Sequence, residues 1–233
     1  MQGATLFLAS SSPRRRQLLA EAGIPFELFV VPVDEEGLTE AYRGPLDELG
    51  EHLAEAKAVA ARDELRRLGK HGLVLASDTT VLLDGASLPK PRDHTEARRM
   101  LEALRGRVHT VATGVALGST DSDAVRRASS RTRVLMREYS VAEVEAYVAT
   151  GDPLDKAGSY SIQHPDFHPV ATITGCHLGV IGLPVCLVAA LVGHGSLPPV
   201  DAATGWCVWS PACTRPFPTP TAIHRDIAGG EPT

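Results

Sequence analysis

Two kinds of hydrophobic pattern alternate along this chain. Short apolar blocks of strand length are separated by longer stretches in which apolar residues recur at helical spacing, the order expected of an α/β protein. Leu6-Phe7-Leu8-Ala9 opens the series, and residues 5–8 read as a buried strand. A helix is predicted over 13–22, with Pro13 at its first position, Ser12 as its cap and Gly23 as its stop. Residues 26–33 form a β-rich run ending in Asp34-Glu35-Glu36, and 46–68, rich in Ala, Glu and Leu, read as a long helix. Two apolar strands, 73–76 and 80–83, flank Ser77-Asp78-Thr79, and Asp84-Gly85 is a turn signal. A helix over 95–104 and strands over 108–117 and 131–136 follow. Ser140-Val141-Ala142-Glu143 is a capping box that predicts a helix over 141–150, and 184–192 read as a short apolar helix.

Residues 196–233 break the pattern. They are rich in Pro, Thr and Gly, hold no sustained period, and read as a poorly ordered extension to a single domain spanning 1–195. The 233 residues suffice for one sizeable core. A formal net charge of -5 argues against broad nucleic-acid binding, which needs a basic face, and leaves room for a small basic pocket. Cys176, Cys186, Cys207 and Cys213 form no Cys-x-x-Cys pair, so neither a zinc site nor a disulfide framework is expected. No run approaches the ~18 apolar residues of a membrane span. The first apolar block precedes the arginines at 14–16, the reverse of an export signal's order. A cytoplasmic protein without membrane or nucleic-acid partners is expected.

Polar residues in unfavourable places carry the candidate chemistry. Arg14, Arg15 and Arg16 fall in the first turn of the predicted helix, where free N–H groups and partial positive charge favour acids. A bound polyanion resolves the conflict, because helix N–H groups and guanidinium forks can grip the same phosphates; a solvated basic turn is the plainer alternative. Asp78, between apolar blocks, needs a cation, a metal or donors, unless it closes a tight turn on its own backbone. Lys90, flanked by Pro89 and Pro91, projects from a stiff loop, and Lys57 interrupts an Ala-rich helix; taken singly, both read as surface lysines. Asp155-Lys156-Ala157-Gly158-Ser159-Tyr160-Ser161-Ile162-Gln163 combines acid, base, small residues and an amide. Gly158 permits close backbone approach and Gln163 can donate and accept, as a base edge demands; a turn feeding a strand is the alternative. His164, His168 and His177 read as loop histidines, since Pro165 and Pro169 spoil helical spacing. Neither a P-loop, a Gly-x-Gly-x-x-Gly fingerprint nor a Gly-x-Ser-x-Gly elbow occurs.

In their order, these segments resemble the Maf family of nucleoside triphosphate pyrophosphatases. The matching stretches are Leu8-Ala9-Ser10-Ser11-Ser12-Pro13-Arg14-Arg15, Val33-Asp34-Glu35, Lys57-Ala58, Ser77-Asp78-Thr79, Lys90-Pro91, Gly106 with His109 and Thr113-Gly114, residues 155–163, and Gly182-Leu183-Pro184. The resemblance implies an α/β fold, a two-lobed mixed sheet with flanking helices around a central nucleotide cleft, usually in a homodimer. It implies cleavage of a nucleoside triphosphate between the α and β phosphates, with a divalent metal, Mg²⁺ or Mn²⁺. On this resemblance Asp78 matches the general base and Glu35 an acid beside the metal, which Asp78 would share. Ser12, Arg14, Arg15, Lys57, Lys90 and Lys156 match positions around the triphosphate, and Thr79 and Gln163 positions that distinguish substrates.

The branch is also legible. The 7-methyl-GTP branch resembles Ser-Pro-Trp-Arg-Arg, Ser-Asp-Gln and a late Glu, where this chain has Arg14, Thr79 and Gln163. A methylated guanine is cationic and suits a stacking Trp and a Glu; neutral thymine or uracil suits Thr79 and Gln163. The expectation is a dTTP/UTP pyrophosphatase, acting also on modified pyrimidine nucleotides. The alternatives are a 7-methyl-GTP pyrophosphatase, a non-catalytic nucleotide-binding regulator of cell division, and a nucleic-acid-binding protein. Asp78 and Glu35 favour the enzyme, because binding alone needs no base.

Overall fold

The buried strand β1 (Leu6–Leu8) leads directly into α1 (Pro13–Glu21), whose cap, Ser12, accepts from the Arg15 N–H. The computed structural model describes residues 4–192, so the extension expected over 196–233 lies outside the described residues. After α1 come β2 (Glu27–Leu28), α2 (Glu35–Ala41), α3 (Leu49–Arg67), β3 (Leu73–Leu83), β4 (Ala86–Leu88) and α4 (His94–Leu104). Then follow β5 (Val108–Ser119), β6 (Ser122–Met136), α5 (Val141–Ala149), β7 (Val170–Thr174), α6 (His177–Ile181) and α7 (Val185–Val192). The strands form one seven-stranded sheet in the order β2-β1-β3-β5-β6-β7, with β4 also on β3. β1 runs parallel to β2 and β3, and the remaining pairs are antiparallel. The class is therefore α/β with a mixed sheet, as expected.

Three local expectations are corrected. β3 is one continuous strand rather than two flanking a turn. Ser77, Asp78 and Thr79 stand in register with Val115, Gly114 and Thr113 of β5, which removes the turn alternative for Asp78. The polar side chains break the hydrophobic pattern without breaking the ladder, because each finds a partner. β6 begins at Ser122, well before 131, since its outward face is solvated and reads as loop. Of 26–33, only Glu27 and Leu28 join the sheet. Other signals hold. Asp84 and Gly85 close the β3–β4 hairpin with φ of 50° and 79°, as a two-residue turn requires. The Ser140–Glu143 capping box is formed in both directions.

Burial divides the sheet into a shared face and a split face. On one face, Val74, Ala76 and Ala116 meet Ala54, Ala58, Ala61 and Leu65 of α3. On the other, Leu75, Val115 and Leu117 pack with α1, α6 and α7, while Val81 and Val111 pack with α4 and α5. Strand alternation places Ser77, Thr79 and Thr113 in the gap between these two clusters. That gap is the polar floor between two lobes.

Glycines set how closely α3 lies on the sheet. A Cβ at Gly114 would collide with the backbone of Glu51, and one at Gly50 would lie 3.0 Å from the Asp78 carbonyl oxygen. The missing side chains let the start of α3 rest on β3 and β5. Further along the same helix, Lys57 then reaches Asp78. Among the described residues no helix is long and apolar enough to cross a membrane.

Candidate active site

β1 bonds to β3 at residues 73–75 and β4 bonds to it at 81–83, so the edge between them is left open. The opening lies at the carboxyl end of a parallel strand and at the N-terminus of the helix that follows, where open α/β sheets take ligands. A cleft of about 420 Å³ occupies it, within the usual range for small-molecule sites. The ten residues matched to the base, the metal acid, the triphosphate and the substrate-distinguishing positions line this cleft: Ser12, Arg14, Arg15, Glu35, Lys57, Asp78, Thr79, Lys90, Lys156 and Gln163.

The arginine run divides three ways. Arg16 is exposed and outside the cleft lining. Arg14 stands at the rim, 3.4 Å from Asp155. Arg15 turns inward: Nε donates to the Gly182 carbonyl at 2.8 Å, Nη1 to Ser10 Oγ at 3.2 Å and Nη2 to Thr79 Oγ1 at 3.3 Å. Burial lowers its pKa from the ordinary value, with Asp78 opposing that shift. Three of the five guanidinium donors therefore hold the floor together, which leaves two for other acceptors. Ser77 Oγ shares the Gly182 carbonyl and donates to that of Gly114. Thr79 Oγ1 lies 3.1 Å from Thr113 Oγ1, which donates to the Gly179 carbonyl at 2.7 Å.

Asp78, Lys57 and Glu35 meet at the other side of the floor. Lys57 Nζ donates to Asp78 Oδ1 at 2.6 Å and to Glu35 Oε2 at 2.8 Å. The Lys57 and Asp78 side chains are each only 14% exposed, whereas Glu35 is 50% exposed at the start of α2. The surface-lysine alternative for Lys57 is thus removed. Two carboxylates converging on one ammonium mark a place that attracts cations. No three His, Cys, Asp or Glu among the described residues form a metal-holding group. The donor set fits Mg²⁺, which uses one or two carboxylates and completes its shell with water and phosphate oxygens.

The opposite wall is the 152–163 segment. Lys156, 8% exposed, gives its ammonium to the Asp152 carbonyl at 2.6 Å, Asp152 Oδ1 at 2.8 Å and Asp155 Oδ1 at 2.5 Å. Burial raises the Asp152 and Asp155 pKa values, but the Lys156 bonds prevail and both lie below the usual carboxylate range. To meet a phosphate, Lys156 must exchange an acid for it. Tyr147 Oη donates to Asp152 Oδ2 at 2.7 Å and accepts from the Ser161 N–H at 3.0 Å, bracing the segment. Gln163 and Lys90 are exposed at the cleft. His164 Nδ1 accepts from the Asp166 and Phe167 N–H groups, a turn-closing role.

Ser10, Ser77 and Thr113 lie in the matching stretches with no role assigned to them there, and sequence reasoning missed the supporting residues Tyr147 and Asp152 outright. Ser77 and Thr113 left one usable signal, a hydroxyl inside an otherwise apolar block. Residues 30–33, predicted as part of a strand, line the cleft instead.

Comparison with known proteins agrees with this geometry. Residues 5–194 match the family model of Maf-like proteins. The chain is 43% identical to a dTTP/UTP pyrophosphatase of Thermomicrobium roseum, covering 83% of this chain and 85% of that protein. It is 40% identical to a dTTP/UTP pyrophosphatase of Geobacter sp. (84% and 99% covered) and 38% identical to one of Dictyoglomus turgidum (81% and 95% covered). With a match to the family model over four-fifths of its length, the chain belongs to the Maf family.

Proposed function

We propose that the protein is a nucleoside triphosphate pyrophosphatase that hydrolyses dTTP and UTP to the monophosphate and pyrophosphate. The observation that carries this reading is the meeting of Asp78 and Glu35 on Lys57 inside a cleft whose rim and floor are arginine. Relatives that bear the name dTTP/UTP pyrophosphatase support the substrate class.

In this reading the helix N-terminus, Ser12, Arg14 and Lys90 bind and orient the triphosphate, and Arg15 holds the floor while its remaining donors face the phosphates. Asp78 accepts the proton of the attacking water as the bridge between the α and β phosphates breaks, and pyrophosphate leaves. Lys57 offsets charge on the phosphates and orients the Asp78 carboxylate through its hydrogen bond. Asp78 and Glu35 would hold a divalent cation, which would supply Lewis-acid stabilisation of the phosphate charge. Gln163 and Thr79 face the nucleoside side of the cleft. A cytoplasmic setting and a homodimer belong to the same reading and rest on the family resemblance.

The test is product analysis with dTTP and Mg²⁺ or Mn²⁺. The expected products are dTMP and pyrophosphate, with kcat lowered by roughly 10²–10⁴ in Asp78→Asn, the usual scale for acid–base catalysis. Orthophosphate as first product, or an unchanged rate in the variant, overturns the mechanism.

A further inference from the structure

A buried histidine lies behind the cleft and is used by none of the steps above. His109 of β5 is 2% exposed, and its Nε2 lies 2.7 Å from the hydroxyl of Tyr160, itself 6% exposed. The rings meet edge to face with centroids 5.4 Å apart. His109 Nδ1 is buried with no hydrogen-bond partner. Burial lowers the imidazole pKa to about 4 and raises that of the phenol, so both groups are neutral near pH 7.

Hydrogen counting then orders the pair. If Nε2 carried the hydrogen, both the Nδ1 lone pair and the Tyr160 O–H would go unused. If Tyr160 donates to Nε2, only the Nδ1–H is orphaned, and this is the better arrangement. The orphaned donor still has a cost, which an aliphatic side chain at 109 would avoid. Packing alone therefore gives no reason for an imidazole here, and the bond to Tyr160 does.

Tyr160 sits in the segment that forms one cleft wall, three residues before Gln163. That segment turns sharply, with Gly158 at φ 71° and Ser159 at φ 62°, a left-handed conformation that a non-glycine residue adopts only when held. Tyr147 Oη braces it at the Ser161 N–H, and Ser159 Oγ lies 3.1 Å from Met100 Sδ of α4. The Gly158 N–H donates to the Pro89 carbonyl at 3.2 Å, next to Lys90. A Cβ at Gly158 would lie 2.9 Å from Val81, so the turn presses on β3. The Tyr160 hydroxyl is an anchor that reaches β5, through His109.

We propose that His109 is a positioning residue for the reaction: through the Tyr160 hydroxyl it pins the 155–163 segment to the sheet and sets the place of the wall that carries Gln163. The proposal rests on the pyrophosphatase reading for its kinetic consequences. A displaced wall weakens ground-state and transition-state binding alike, so the loss falls on KM.

Four variants test it: Tyr160→Phe, His109→Leu, His109→Gln and the double change His109→Leu with Tyr160→Phe. Each single removal is expected to raise KM for dTTP about tenfold with kcat within about threefold, and His109→Gln, which restores a hydrogen-bonding group, to recover most of it. The double variant is expected to melt no lower than either single, since removing both partners leaves no orphan, yet to keep the raised KM. A double variant with both wild-type stability and wild-type KM overturns the proposal. So does a KM that tracks melting temperature across all four without recovery by Gln. Amide exchange over 155–163 supplies the arm independent of substrate. Faster exchange in Tyr160→Phe supports the anchor, and unchanged exchange refutes it. A wild-type protein that releases no pyrophosphate from dTTP removes the functional reading and leaves the exchange result to decide the anchor.

Discussion

Lys57 and Asp78 stand 2.6 Å apart across the seam between α3 and β3, and the same ammonium also holds Glu35. One lysine thus occupies the place toward which both candidate metal ligands point. A divalent cation and the ammonium repel each other there, by about 2 kcal/mol at 4 Å even in bulk water and more beside a protein wall. Removing the ammonium should therefore strengthen metal binding to the free protein while weakening triphosphate binding. Lys57→Met is expected to tighten Mn²⁺ binding by about thirtyfold, read by electron paramagnetic resonance, and to raise KM for dTTP. Unaltered Mn²⁺ affinity would show that the cation is held elsewhere.

The approach of α3 to the sheet predicts a second sensitive position away from the substrate. Gly114→Ala places a methyl group against the Glu51 backbone, where no side chain can swing aside. The expected cost is about 1–3 kcal/mol, the usual range for overpacking. Because α3 carries Lys57, activity should fall further than stability does. Chemical denaturation and steady-state kinetics on the same preparation decide this, and a neutral variant would mean that the helix is free to shift.

His109 gives the pH dependence of stability a definite sign. Its pKa is about 4 in the folded chain against an ordinary 6.5, so between those values the unfolded chain binds the extra proton. Stability is complete above pH 6.5 and falls as pH drops toward 4, by about 3 kcal/mol in all. Glu143, held at about 2 by the Ser140 N–H and Arg137, adds a loss only below its ordinary 4.5. Wild type should thus lose melting temperature between pH 6.5 and 4.5, and His109→Leu should lose much less. Parallel curves for the two would remove His109 as the cause.

Substrate preference is the fourth expectation. dTTP and UTP should exceed GTP and 7-methyl-GTP in kcat/KM by roughly ten- to a hundred-fold, the value of one buried hydrogen-bond pairing. The triple change Arg14→Trp, Thr79→Gln and Gln163→Glu should move preference toward 7-methyl-GTP. Kinetics on both substrates for both proteins test this, and a triple variant that loses dTTP turnover with no relative gain refutes it.

The sequence announced elements whose cause is local. Pro13 after Ser12, the Ser140–Glu143 box and Asp84-Gly85 act through their own backbone, and each appears where expected. It misreported elements whose cause is distant. Asp78 looked like a strand break because its partner, Lys57, comes from a helix 21 residues earlier. Lys57 looked like a surface residue for the same reason. The three arginines were identical in the pattern, and only the position of the Gly182 carbonyl separates Arg15 from its neighbours. α2, β7 and α6 are only seven, five and five residues long, too short for a period to mark them.

The chain of hydroxyls on the cleft floor has a polarity. A hydroxyl owns one hydrogen. That of Thr113 goes to the Gly179 carbonyl, so the contact between the two threonines must use the hydrogen of Thr79. Arg15 takes one lone pair of Thr79, and a single lone pair is left over. Thr79 therefore meets the cleft as an acceptor only, and whatever docks against it has to bring the hydrogen. The imide N3–H of thymine or uracil brings one; the bare ring nitrogen of cytosine at the same position does not.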